Sequence, residues 1–107
     1  MTIATAKLSD PAVRTFVAAI NAGDRDAFLA VLTPDATMSD DGSDRDLRDW
    51  IDKEIFTVRG RIDVQTESDG GHALIANFTN ETWGEMRTAW RFTIDGGKIS
   101  RFDTGQA

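Results

Sequence analysis

The residues best suited to chemistry in this 107-residue chain are one carboxylate and one imidazole. Asp40 follows a short apolar stretch, and a carboxylate at the end of a strand beside an apolar pocket can act as a general base. His72, the sole histidine, is the first partner to consider for it. Both residues also have ordinary structural interpretations. Asp40-Asp41-Gly42 is typical of a turn, and His72 follows Gly70-Gly71 at a strand start, where a solvated turn residue is common.

Aromatic side chains supply the apolar surface that such a pocket would need. The chain has six Phe and three Trp but no Tyr, so its aromatic rings carry no hydroxyl groups. These rings either line a pocket for a ring-shaped or terpenoid-like molecule or fill the core of a small domain, and the sequence leaves both open. The residues predicted to bind the ligand are Phe16, Phe28, Trp50, Phe78, Trp90 and Phe92.

Composition narrows the classes of function. The formal charge of −6, with 12 basic and 18 acidic residues, disfavours both nucleic acid and an anionic membrane as partners. Cysteine is absent, which excludes thiolate chemistry and cysteine-ligated metals. No apolar run approaches the roughly 18 residues of a membrane span, and the first residues lack the core of a signal peptide. We therefore expect a soluble cytoplasmic protein with a single domain over residues 1–107, no cofactor and no metal.

The acidic stretch from residue 40 to residue 54 does not change that expectation. A calcium loop of the EF-hand type needs glycine at its sixth position, which is Arg45 when counting starts at Asp40. Acidic residues in the first turn of a helix are favoured by the helix dipole, and this accounts for the cluster.

Two helices are predicted in the first third of the chain. Asp10 is a good N-cap and Pro11 suits the first helical position, so the first helix is expected to begin there. Gly23 can end it in the left-handed conformation, and Asp24 can cap the second helix at once. The segment 33–35, Thr-Pro-Asp, is expected to stop that second helix.

The rest of the chain changes from helical to strand periodicity. A short strand is predicted over Ala36–Met38, and a third helix is expected to begin at Ser43 or Asp44. Beyond residue 61, apolar residues alternate with polar ones, as in a half-buried sheet. The pattern predicts an α+β fold: three N-terminal helices packed on the concave face of a cone-shaped, curved antiparallel sheet, a meander. Its strands are expected at residues 62–66, 73–82, 86–94 and 98–103.

This order of elements and two local motifs resemble the nuclear transport factor 2-like superfamily, in particular its SnoaL-like branch and the bacterial ketosteroid isomerases. The motifs are Val-Ala-Ala-Ile-Asn-Ala-Gly-Asp at residues 17–24 and Asp-Ala-Thr-Met-Ser-Asp at residues 35–40. The resemblance covers residues 10–42 well and residues 86–103 loosely. It implies that Asp40 occupies the position of the general base in the isomerases.

The other parts of the isomerase site are missing from this sequence. The tyrosine that donates to the enolate oxygen falls on Phe16, and the second donor falls at about Thr88. Loss of one such donor typically costs about 3–4 kcal/mol of transition-state stabilisation, so we do not expect a competent steroid isomerase. Other members combine two carboxylates with an arginine, which here would be Asp40 and Asp103 with Arg87 or Arg91. Both arginines lie on the polar side of their strand, where a surface role is expected.

Two functions remain open from the sequence. The first is a SnoaL-like domain that binds a small apolar molecule in the pocket of the cone, with acid–base chemistry at Asp40 as an extension. It predicts that Asp40 faces a cavity beside Phe16 and Trp90. The second is a non-catalytic homodimeric protein-interaction module without a ligand cavity. In both cases the related folds imply a homodimer formed through the outer sheet face, with Trp83 or Ile75 buried in it.

Overall fold

Capping aspartates fix where the first two helices begin. In the computed structural model, which describes residues 2–107, helix α1 spans Pro11–Ala22. The Asp10 carboxylate accepts two backbone N–H groups of its first turn at 2.8 and 3.0 Å. Gly23, at φ 66°, ends α1, and the carboxylate of Asp24 caps helix α2, Arg25–Ala30. The predicted starts of both helices are confirmed.

The first strand is longer than predicted and belongs to a hairpin. Strand β1 spans Leu32–Asp40 and pairs antiparallel with β2, Ser43–Arg45. Asp41 and Gly42 connect them with φ angles of 49° and 82°. Two positive φ values in succession define the tight turn whose twist matches a hairpin, and Asp-Gly is a preferred sequence for it.

The hairpin moves the start of the third helix. Helix α3 spans Leu47–Ile51 and is capped by Asp46, whose carboxylate accepts a backbone N–H at 3.0 Å. The predicted start at Ser43 or Asp44 is wrong because those residues pair with β1. The helix continues as a π-helical turn over Asp52–Phe56.

A single six-stranded sheet completes the α+β fold, in the order β2-β1-β6-β5-β4-β3. Strands β3 to β6 form the predicted antiparallel meander, but β1 is parallel to β6. No hairpin constrains this pair, because the whole meander separates the two strands along the chain. The remaining strands are β3, Arg61–Ser68; β4, Ala73–Asn80; β5, Gly84–Asp95; and β6, Lys98–Gln106.

The core lies between α1 and the concave face of the sheet. Residues at helical spacing on α1 are fully buried, and alternate residues of the central strands are buried with them. Phe16 of α1 contacts Phe92 of β5 and Phe102 of β6, with ring centroids 4.9 and 5.1 Å apart. Among residues 2–107, no helix is both long and apolar enough to span a lipid bilayer.

Candidate functional site

An open cavity of about 350 Å³ lies between the third helix and the ends of strands β4, β5 and β6. Its buried side consists mainly of aromatic rings, and its rim is polar. Trp90, only 2% exposed, is part of the buried side, whereas Trp83, 63% exposed, stands at the rim. The lining residues are Asp40, Asp41, Arg45, Trp50, Glu54, Phe78, Trp83, Met86, Thr88, Trp90, Thr104, Gly105 and Gln106.

Asp40 lies on the wall of this cavity at the last position of β1. Its Oδ2 accepts a hydrogen bond from the indole Nε1–H of Trp50 at 3.0 Å. No side chain or backbone group of residues 2–107 donates to its Oδ1 within hydrogen-bond distance. The carboxylate is therefore held in place through one oxygen, and the other is available to a ligand.

The turn interpretation applies to Asp41, the next residue. The backbone N–H of Asp41 donates to the carbonyl of Thr104 at 2.9 Å, and its Oδ1 accepts the N–H of Gln106 at 3.0 Å. Gly105 allows this close approach, because a Cβ there would lie 2.6 Å from Asp41 Oδ1. The hairpin is thereby fastened to β6, which fixes the strand end that carries Asp40.

The hydrogen-bond donors on the buried side are already used within the protein. Trp90 Nε1–H donates to Thr88 Oγ1 at 2.8 Å, and the Thr88 hydroxyl donates to the carbonyl of Ala76 at 3.0 Å. The Thr104 hydroxyl donates to the carbonyl of Ala89 at 3.0 Å. Buried polar groups that are paired in this way cannot donate to a ligand without breaking an internal hydrogen bond.

The rim carries a second indole–carboxylate pair. Trp83 Nε1–H donates to Glu54 Oε2 at 3.0 Å, and Asn80 Nδ2 donates to the Glu54 carbonyl at 2.9 Å. Glu54 lies on the π-helical turn, so these hydrogen bonds tie that turn to Asn80 at the end of β4 and to Trp83 at the rim. Sequence reasoning missed Glu54, Arg45 and Met86, because nothing in their spacing distinguishes them from surface residues.

Half of the predicted ligand-binding residues lie on the cavity wall. Trp50, Phe78 and Trp90 line it. Phe16, Phe28 and Phe92 are not among its lining residues and lie buried in the core. Apolar periodicity identifies a residue that faces inward, but it cannot separate a cavity wall from solid packing.

Phe16 illustrates the difference between a residue packed in the core and a residue on the cavity wall. Its ring lies 4.6 Å from the ring of Phe28 and 5.9 Å from that of Trp90, centroid to centroid. Asp40 and Trp90 are both lining residues of the cavity, and Phe16 is not among them.

His72 is held at another site. Its Nε2 lies 2.9 Å from Oδ2 of Asp10, the residue that caps α1. Burial raises the pKa of Asp10, but hydrogen bonds from the Val13 amide, the His72 ring and the Ala12 amide lower it more, so the pKa lies below its ordinary value. His72 and Asp40 are not brought together, and His72 is absent from the cavity wall. Its contact with the cap is structural.

The arginine–carboxylate arrangement is not assembled either. Arg91 pairs with Asp69 at 2.9 Å, and Asp103 accepts from Ser39 at 2.6 Å and from Arg101 at 3.0 Å. Arg91 and Asp103 are therefore paired with groups other than Asp40.

Comparison with known proteins identifies the fold. No family model matches the sequence, and no curated protein matches it. Solved structures do match: a "putative polyketide cyclase" from Sinorhizobium meliloti is 20% identical, with 95% of this chain and 99% of that chain covered and a TM-score of 0.77. An NTF2-like protein of unknown function from Cytophaga hutchinsonii is 16% identical. The match covers 100% of this chain and 93% of that chain, with a TM-score of 0.75. The chain has the nuclear transport factor 2-like fold, as its sequence predicted.

A computationally designed 17-OHP binder also has this fold. It is 17% identical, with 87% of this chain and 86% of that chain covered and a TM-score of 0.66. Identities at this level establish shared architecture alone, because one fold hosts many functions.

Proposed function

We propose that this protein binds a small, mostly apolar molecule that carries one polar group, in the cavity beside Asp40. The observation that carries the proposal is the state of the Asp40 carboxylate. One oxygen is held by the Trp50 indole at 3.0 Å, and the other has no partner among residues 2–107. An unpaired carboxylate oxygen beside aromatic walls is a specific anchor for a donor group on a ligand.

The size and composition of the cavity support the proposal. Its volume of about 350 Å³ falls at the lower end of the range for small-molecule sites, roughly 300–1,000 Å³. Phe78 and Trp90 form the buried end of the cavity, while the half-buried Met86 and the exposed Trp83 offer apolar surface that a ligand would remove from water. A few polar groups among aromatic walls are the usual composition of such a site.

Binding is favoured over turnover at this site. Acid–base chemistry at Asp40 on a carbonyl compound would need a donor for the developing oxyanion as well as a base. The nearby donors are committed: Trp50 to Asp40, Trp90 to Thr88, and Thr88 to a backbone carbonyl. We therefore expect no steroid isomerase activity, and we assign Asp40 the role of ligand anchor.

The alternative, a non-catalytic interaction module, has less support. It predicts the absence of a cavity able to hold a ligand, and the open cavity of about 350 Å³ with an unpaired carboxylate oxygen on its wall supports the first function instead. The designed 17-OHP binder shows that this fold can be made to bind a small molecule.

A matched pair of variants tests the proposal. Met86 lies on the cavity wall, whereas Ile94 is half-buried on the same strand outside the cavity. The ligand to use is 2-(1-adamantyl)ethanol, which combines a compact apolar body with one hydroxyl group. We expect saturable binding by isothermal titration calorimetry in the wild type, loss of binding in Met86→Trp, and retention in Ile94→Trp.

Thermal unfolding provides an independent readout of the same binding. A ligand at 100 times its Kd stabilises the folded state by about 2.7 kcal/mol if it does not bind the unfolded chain. Absence of binding by adamantyl, terpenoid and steroid compounds alike would overturn the proposal. An equal loss of binding in Met86→Trp and Ile94→Trp would overturn it as well.

A further inference from the structure

The charges around the cavity are predominantly negative. Asp40, Asp41 and Glu54 contribute three carboxylates, whereas Arg45 contributes the one guanidinium among the described lining residues. Arg45 is exposed and forms no ion pair with any of residues 2–107, so it does not neutralise the carboxylates by direct contact. The potential in an acidic, partly desolvated cleft attracts cations and repels anions.

The hydrogen-bonding groups of the cavity show the same bias. The three indole N–H groups donate to Asp40, Glu54 and Thr88. Three carboxylate oxygens of the described lining residues have no hydrogen-bond partner: Oδ1 of Asp40, Oδ2 of Asp41 and Oε1 of Glu54. The Arg45 guanidinium, on the exposed rim, is the one charged donor left open among them. A ligand that needs donors, such as a carboxylate or a ketone, would find none free on the buried side.

The aromatic walls suit a cation as well. Trp50 and Trp90 meet edge to face, with ring centroids 6.4 Å apart, and Trp50 is tied to Asp40 by its N–H. A ligand cation over the face of a tryptophan ring is attracted by the ring quadrupole, most strongly when water is excluded. The same tryptophan therefore positions the anionic anchor and is itself part of the cavity wall.

From these three observations we infer the class of ligand: an amphiphilic amine, with a protonated amino group at Asp40 and an apolar body against Phe78 and Trp90. The inference rests on the proposed function and narrows it from apolar molecules in general to apolar cations. Asp41 also has one free oxygen, but it is exposed in the turn, whereas Asp40 is half-buried against Trp50, so we assign the anchor to Asp40 and a contribution to the charge to Asp41.

A matched set of three compounds tests the inference. They are 2-(1-adamantyl)ethylamine, 2-(1-adamantyl)ethanol and 1-adamantaneacetic acid, which share the apolar body and differ in the charge of the polar end. By isothermal titration calorimetry at neutral pH, we expect the amine to bind about tenfold more tightly than the alcohol, because a charge-assisted hydrogen bond is about twice as strong as a neutral one. The acid is expected to bind most weakly.

Two variants identify the group responsible for that preference. Asp40→Asn keeps an oxygen for the Trp50 N–H but removes the charge, so we expect it to abolish the preference for the amine. Asp95→Asn removes an equal charge at the β5–β6 hairpin, outside the cavity, and should preserve the preference. If Asp40→Asn does not fold, Glu54→Gln, which keeps an acceptor for Trp83, should still reduce the preference.

The possible outcomes distinguish a failure of the inferred ligand class from a failure of the proposed function. If the alcohol binds as tightly as the amine, or the acid binds best, the inference is overturned and the proposed binding site stands. If none of the three compounds binds the wild type, and neutral terpenoids and steroids also fail to bind, both are overturned. An amine preference that survives in Asp40→Asn would overturn the assignment of Asp40 as its anchor.

Discussion

At the scale of single residues, the orientation of Asp40 is the main finding. Sequence reasoning identified the residue but left its side chain undecided between a pocket and a turn. The turn consists of Asp41 and Gly42, and Asp40 precedes it as the last residue of β1, with one oxygen bonded to Trp50. The sequence could not distinguish two adjacent aspartates, because only the strand register decides which one faces the cavity.

Phe16 provides the first prediction at this scale. Phe16→Tyr restores the residue type found in the isomerases, but we expect it to destabilise the protein and to confer no isomerase activity. The four rings that contact Phe16 offer no free acceptor, so the new hydroxyl would be buried without a partner. The expected cost is about 1–3 kcal/mol.

Denaturant unfolding measures that cost, and Phe16→Leu controls for changes in packing alone. Unchanged stability of Phe16→Tyr, or measurable steroid isomerisation, would show that the hydroxyl reaches a partner or the cavity.

Trp83 provides the second prediction. Trp83→Ala should weaken binding of 2-(1-adamantyl)ethanol while changing the free energy of unfolding by less than about 1 kcal/mol, because the side chain is 63% exposed. Trp83→Phe keeps an aromatic ring and loses the hydrogen bond to Glu54, so it separates the contribution of the ring to binding from that of the hydrogen bond. Calorimetric titration and thermal unfolding of both variants provide the test, and a large loss of stability in Trp83→Ala would contradict a role at the rim.

At the scale of secondary-structure elements, local capping signals were predictable and long-range pairing was not. Asp10 and Asp24 cap the helices that the sequence predicts, because an N-cap depends only on its own first turn. The parallel pairing of β1 with β6 joins segments about 60 residues apart, and no local pattern encodes it. The cavity depends on that pairing, so its wall could be predicted only in part.

The cap of α1 provides the third prediction. Asp10→Ala should destabilise the protein by about 1 kcal/mol and lower the Tm by roughly 4–8 °C, because two N–H groups lose their acceptor. Asp10→Asn is the matched control, since asparagine caps equally well. Thermal unfolding at pH 7 should show a clear loss of stability in Asp10→Ala and a small loss in Asp10→Asn.

The stability that the Asp10 side chain contributes also depends on pH. Because the pKa of Asp10 is lowered on folding, its ionised form contributes stability above the unfolded pKa, about 3.9. That contribution is lost as the pH falls through the lower, folded pKa. Wild type and Asp10→Asn should therefore converge in stability below pH 4, and a gap that widens there would contradict this assignment.

The β1–β2 hairpin provides the fourth prediction. Gly42 has φ 82° and open space where a Cβ would lie, so Gly42→Ala carries a conformational cost alone, about 1–2 kcal/mol. Gly42→Asn should be milder, because asparagine tolerates the left-handed region. Thermal unfolding of the two variants measures the difference, and equal stability would mean that the turn is not formed in solution.

At the scale of the whole molecule, the assembly of the protein stays a prediction. We expect a homodimer through the outer sheet face, where Ile75 and Ala89 lie opposite each other and are half-buried in the single chain. Ile75→Glu should then shift the mass measured by light scattering from dimer to monomer, whereas Lys53→Glu, at an exposed position on the π-helical turn and not on the sheet, serves as a control. A monomeric wild type at high concentration would contradict the expectation.

The central claim, that the cavity binds a small apolar molecule, is tested most directly by methyl NMR of methionine-labelled protein. Met86 lines the cavity, and Met38 is fully buried in the core, so the two methyl groups serve as reporter and control. During titration with 2-(1-adamantyl)ethanol, we predict a saturable shift of the Met86 methyl signal and nuclear Overhauser effects from adamantyl protons to that methyl but not to Met38. An unchanged Met86 signal up to the solubility limit, or equal effects at both methyl groups, would contradict the account.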